Sequence, residues 1–133
     1  MIALDTNVLV RLIVADDPAQ HGAAVALVAD LTPDRPGFVA REVVLEFVWV
    51  LERTYRFGRT DIADAVDGLL ASREIVVETA GDVATAIAAW RDGEPGFGDR
   101  LIAAAARRAG ASELVTFDRK AATLPGSRLL EPA

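Results

Sequence analysis

The stretch Ile2-Ala3-Leu4-Asp5-Thr6-Asn7-Val8-Leu9-Val10-Arg11 decides the fold class. An apolar run of strand length meets an acid, and a short helical stretch, Thr6–Val14, follows. Outward from there the same change of period recurs. Further strand-length runs lie at Gly37–Ala40, Glu74–Glu78, Glu113–Phe117 and Ser127–Leu130, several carrying Val, Ile or Phe. Helical stretches separate them at Pro18–Leu31, Arg41–Phe57, Thr60–Ser72, Gly81–Arg91 and Asp99–Ala109, with a short turn at Arg119–Ala122. Asp17 caps the second helix and Pro18 opens its first turn. Gly58 is expected to stop the long third helix, and Thr60 to cap the fourth. This alternation predicts an α/β fold on a parallel sheet with helices on both faces.

A chain of 133 residues is the size of one domain, so a single domain over 1–133 is expected. At 52 % hydrophobic residues it is too apolar to be disordered. The absence of cysteine excludes disulfides, thiolate metal sites and a cysteine nucleophile. His21 is the one histidine, which excludes a His-rich zinc site, and it reads as a solvent or packing residue. The formal charge of −6 is opposite in sign to that of a free-standing nucleic-acid-binding module. Nucleic-acid chemistry would therefore need local positive charge or bound cations. Lys120 is the only lysine; the other basic residues are arginines, the better phosphate forks. No apolar run reaches the ~18 residues of a membrane span. No basic, then apolar signal peptide opens the chain, so a cytoplasmic protein is expected.

Four acids stand out. Asp5 and Asp118 each follow an apolar run, at the carboxyl ends of strands, where open α/β sheets form their ligand crevice. Each would serve equally as the cap of the turn that follows it. Glu46 lies among Val43, Leu45, Phe47, Trp49 and Val50 on a helix that is apolar nearly all round, so it is expected to be buried and to want a cation. A structural ion pair is the plain alternative. Glu42, one turn earlier, is the rival acid. Asp99 follows Gly96-Phe97-Gly98 and opens a helix, where an acid is favourable in any case. If the four converge, hard oxygen ligands without Cys or His suit Mg²⁺ or Mn²⁺. Asp61, Asp64 and Asp67 read as a solvated face and Trp90 as a packing anchor.

Asp5-Thr6-Asn7-Val8-Leu9-Val10-Arg11, Val43-Val44-Leu45-Glu46-Phe47-Val48-Trp49-Val50-Leu51, Phe97-Gly98-Asp99-Arg100-Leu101-Ile102-Ala103 and Leu114-Val115-Thr116-Phe117-Asp118-Arg119-Lys120 resemble, in order, four motifs of PIN-domain ribonucleases, specifically VapC-like toxins of type II toxin–antitoxin systems. The resemblance implies a three-layer fold with a central parallel sheet of four to five strands and helices on both faces. It puts the acidic, metal-holding and catalytic set on Asp5, Glu46, Asp99 and Asp118, with Thr6, Asn7 and Thr116 in support. Arg11, Arg100, Arg119 and Lys120 become candidates for RNA or partner contact. Arg100 departs from the small residue many relatives carry there. The resemblance further implies Mg²⁺- or Mn²⁺-dependent cleavage of RNA phosphodiesters to a 5′-phosphate and a 3′-hydroxyl, a homodimer, and a VapB-like antitoxin that blocks the site. Two other functions stay open. One is a Mg²⁺-dependent phosphatase, which would want an Asp where Asn7 stands. The other is a non-catalytic PIN-like binding module whose acids are caps and ion pairs.

Overall fold

A computed structural model describes residues Met1 to Ala133. In chain order the elements are β1 (Ile2–Ala3), α1 (Thr6–Ile13), α2 (Pro18–Ala29), β2 (Gly37–Val39), α3 (Arg41–Arg53), α4 (Arg59–Ala71), β3 (Ile75–Val77), α5 (Ala80–Arg91), α6 (Phe97–Arg108), β4 (Leu114–Thr116) and β5 (Ser127–Leu129), with a 3₁₀ turn at Ala121–Thr123 before β5. This is the alternation expected from the sequence, and every strand pairing is parallel. The five strands hydrogen-bond as a three-stranded sheet, β1-β2-β3, and a two-stranded one, β4-β5. Each strand is only two or three residues long, so each ladder holds few bonds.

The chain divides into two compact units, Met1–Ala84 and Thr85–Ala133. In the first, α1 packs on α2 and α3, and α3 on α4. Leu9, Val39, Val44, Phe47, Leu51, Ile62 and Val66 are fully buried there. Gly37 opens β2 because there is no room for more: a Cβ would stand 2.9 Å from a methyl of Leu4. In the second unit Trp90 and Phe97 are buried with ring centroids 6.2 Å apart, which makes Trp90 the packing anchor expected of it. Leu101, Ala103, Ala104 and Ala121 are buried in the same unit.

Helix α3 departs from its sequence reading in two ways. It ends at Arg53 rather than running to Phe57, because Arg56 takes a left-handed backbone (φ 59°) and the Phe57 N–H closes onto the Leu51 carbonyl. Gly58 therefore does not stop α3. It is the N-cap of α4, two residues before the expected cap Thr60. Nor is α3 buried all round. Val44, Phe47, Val48 and Leu51 form one buried stripe, while Leu45 and Trp49 are exposed. No helix is long and apolar enough to cross a membrane.

Candidate active site

In the first unit, β1 delivers Asp5 to the start of α1. Asp5 is the N-cap, and its Oδ1 accepts the Thr6 N–H at 2.8 Å. The capping role open at the sequence level is thus real, and it fixes the carboxylate without burying it: Asp5 is exposed. Asp5, Thr6, Asn7, Val10, Arg11, Glu46, Val50 and Tyr55 line one cavity of about 280 Å³. Two of the four acids, from β1 and α3, therefore share a pocket, and Glu42 is absent from its lining. The expected burial of Glu46 is corrected: it is exposed, because the buried stripe of α3 passes to one side of it. Within the pocket the Thr6 side chain is buried, and its Oγ1 has no hydrogen-bond partner. A buried hydroxyl without a partner is costly, and it marks a place where a ligand oxygen, a water or a cation would be held.

Arg11 forms one wall of this pocket and is held from three sides. Its Nε donates to Gln20 Oε1 at 2.8 Å, and one terminal nitrogen donates to Asp16 and to the Tyr55 hydroxyl at 3.2 Å. The Tyr55 hydroxyl donates in turn to Asp16 Oδ2 at 3.1 Å. The Tyr55 hydrogen bond, with Asp16 beside it, raises the Arg11 guanidinium above its ordinary value. Tyr55 is a residue that sequence reasoning missed. Asp16 and Tyr55 are 39 positions apart, so no local pattern announces the contact. His21 Nδ1 lies 2.7 Å from the Arg11 carbonyl, which makes it a structural histidine. A second groove of about 270 Å³, between α1 and α2, shares Asn7 and Arg11 but contains none of the four acids.

The second unit carries the other two. Asp99 is the third residue of α6, after a left-handed Gly96 (φ 75°) at the N-cap. The carboxylate folds back over that glycine: a Cβ at position 96 would stand 2.6 Å from Asp99 Oδ2. The space beside Gly96 is thus taken by Asp99 itself. Asp118 follows β4, and its Oδ1 accepts the Lys120 N–H at 2.8 Å and the Ala121 N–H at 3.1 Å. Its own N–H donates to Thr116 Oγ1 at 3.0 Å, so Thr116 supports the turn that presents Asp118. Arg100 faces Glu94 across 3.6 Å, and Arg119 and Lys120 are exposed. As the side chains lie, no three acidic or imidazole groups come together at ion-holding distance.

A PIN domain family model matches residues 2–126, which carries through both units. The chain belongs to the PIN domain family. Over 83 residues it is 32 % identical to a VapC ribonuclease of Aquifex aeolicus (strain VF5), a stretch covering 62 % of this chain and 62 % of that relative. The chain thus matches somewhat less than two thirds of the length of this curated relative. Family membership bears out the α/β fold and the resemblance to PIN domains.

Proposed function

We propose that this PIN-domain chain is a metal-dependent endoribonuclease toxin that hydrolyses RNA phosphodiester bonds and is neutralised by a cognate VapB-like antitoxin. The observation that carries the reading is the pocket in which Asp5 and Glu46 meet the unpartnered Thr6 hydroxyl. Family membership and the VapC ribonuclease relative support it. The proposal treats residues 1–133 as one PIN domain, acting in the cytoplasm as a homodimer.

The donors fit Mg²⁺ or Mn²⁺: carboxylates and a hydroxyl, all hard oxygens, with no thiolate or imidazole among them. We assign the ion to Asp5, Glu46, Asp99 and Asp118. A bound divalent ion supplies charge neutralisation at the phosphate and a water of lowered pKa. The rest falls to the chain's own groups. Asp5 Oδ1 is fixed by the Thr6 N–H, which orients the carboxylate as a ligand. The Thr6 hydroxyl is free to hold a water or a phosphate oxygen. Asn7, exposed at the same wall, adds an amide beside it. Arg11, locked by Tyr55, Asp16 and Gln20, offers a fixed cation to a phosphate. Thr116 and the backbone of 120 and 121 hold Asp118 in one orientation. The acidic net charge suits a basic, partly disordered antitoxin.

The test is cleavage of a structured RNA pool by the purified chain, with Mn²⁺ and with EDTA, beside Asp5→Asn. Cuts that require metal and vanish in the variant are expected. Cleavage that persists in EDTA or in Asp5→Asn would overturn the reading.

A further inference from the structure

Asp5, Glu46 and Arg11 line one cavity of the first unit, yet Arg11 forms no ion pair with either acid. Opposite charges attract more strongly in a partly desolvated cavity than in water. Arginine has a long side chain with many rotamers. Side chains on a helix also lean toward its N-terminus, and on α1 that end carries Asp5. Left to itself, the guanidinium would settle on the acids and neutralise them. Three groups hold it elsewhere. Asp16 lies past the end of α1, Gln20 on α2, and Tyr55 in the turn after α3. Arg11 donates to Asp16 Oδ1 and to the Tyr55 hydroxyl, and that hydroxyl donates to Asp16 Oδ2, so the three bonds close a ring in which each polarises the next. Gln20 is steadied by its own N–H, which donates to Asp17 Oδ1 at 3.0 Å.

The turn that carries Tyr55 is built for this placement. The Tyr55 N–H donates to the Val50 carbonyl at 3.3 Å, and its ring meets Phe57 edge-on at 6.4 Å. Between the two rings Arg56 takes the left-handed backbone, which is costly for a residue with a side chain. A guanidinium has five N–H groups. The clamp takes Nε and one terminal nitrogen, and the other terminal nitrogen, Nη2, has no partner in the chain. A staple between helices would explain the bonds but not their place, since α1 already packs on α2 and α3 through buried Leu9 and Val10. We infer that Tyr55 and Asp16, with Gln20, are positioning residues that hold Arg11 off Asp5 and Glu46. The acids then stay open to the divalent ion, and the Nη2 edge of Arg11 stays open to a phosphate of the substrate. This rests on the metal-dependent reading of the pocket.

The experiment is Mn²⁺ binding, followed by electron paramagnetic resonance, in the wild type, Tyr55→Phe, Asp16→Asn, Arg11→Gln and the two double variants that add Arg11→Gln to each of the others. Urea unfolding establishes that each is folded. Tyr55→Phe keeps the ring and loses only the hydroxyl. It is expected to weaken Mn²⁺ binding about 2- to 10-fold, the worth of one neutral hydrogen bond. Asp16→Asn removes a charged partner and should weaken it about 10-fold or more. Arg11→Gln should bind Mn²⁺ at least as tightly as the wild type. With Arg11→Gln in place, neither Tyr55→Phe nor Asp16→Asn should change Mn²⁺ affinity any further, because both act through the guanidinium. Wild-type Mn²⁺ affinity in either single variant would overturn the inference and leave the metal-dependent reading intact. Equal weakening with and without Arg11 would do the same, and would make the ring a staple of the fold. A wild type that binds no Mn²⁺ would overturn the metal-dependent reading itself, and this inference with it.

Discussion

Asp5 does two jobs with one carboxylate. Its Oδ1 caps α1, and its group lines the acidic pocket. Asparagine keeps an oxygen for the cap and loses the charge, so the two duties separate. Asp5→Asn should leave thermal stability within about 0.5 kcal/mol of wild type. It should cut metal-dependent turnover by about 100-fold or more, since even indirect partners of a metal are worth 10- to 100-fold. Assayed side by side, Glu46→Gln should be as damaging and Glu42→Gln mild, because only Glu46 reaches the pocket. Gly96→Ala is a test of a different kind. It forces a side chain into a left-handed backbone and against Asp99 Oδ2, and urea unfolding should show a loss of about 1–3 kcal/mol. Asp5, Asp99 and Asp118 were legible because each ends or opens an element that the hydrophobic pattern defines, and Glu46 because it interrupts an apolar helical run. Tyr55 and Asp16 were not, because what joins them to Arg11 is a tertiary contact with no sequence period.

Helix α3 shows what periodicity conveys and what it hides. Its apolar run placed a helix correctly at Arg41 but suggested burial on every side. Only the 44/47/48/51 stripe is buried, and apolar Leu45 and Trp49 face outward with Glu46. Hydrophobicity cannot distinguish a residue that needs the core from one that needs a partner. Substitution can. Phe47→Ala should cost about 3–5 kcal/mol in urea unfolding, as an emptied core site does. Trp49→Ala, on the same helix, should change stability little. The helix terminus was misplaced for a related reason. The glycine that the sequence offers as a stop is not used as one: Arg56 itself adopts the left-handed turn and leaves Gly58 to start α4.

Across the whole chain, an acidic protein proposed to act on RNA must localise its positive charge, and unpaired Arg53, Arg119 and Lys120 do so beside proposed catalytic acids. Elsewhere arginine is spent on structure. Arg128 on β5 grips Glu113, just before β4, through two hydrogen bonds of 3.0 and 2.9 Å. The Arg128 hydrogen bond, then its charge, hold the Glu113 carboxyl below its ordinary 4.5. The folded value is lower than the unfolded one, so the stabilisation is present above about pH 4.5 and is lost as pH falls through the folded value. Both side chains are about half exposed, so the effect is small and weakens in salt. Urea unfolding at neutral pH and near pH 3 should show a shallower acid loss in Glu113→Gln than in wild type. The order of strands and helices was legible along the whole sequence. The split into a three-stranded and a two-stranded sheet was not, because ladders two or three residues long are decided by tertiary placement.

The proposed reaction requires Asp5, Glu46, Asp99 and Asp118 to hold one ion together. Mn²⁺ binding, followed by electron paramagnetic resonance in the wild type and in each of the four single amide variants, addresses it most directly. Every one of the four variants is expected to weaken Mn²⁺ binding while the circular dichroism spectrum stays unchanged. Wild-type affinity for Mn²⁺ in Asp99→Asn and Asp118→Asn would contradict it, and would leave Asp118 as the cap of its turn and Asp99 as an acid in the first turn of α6.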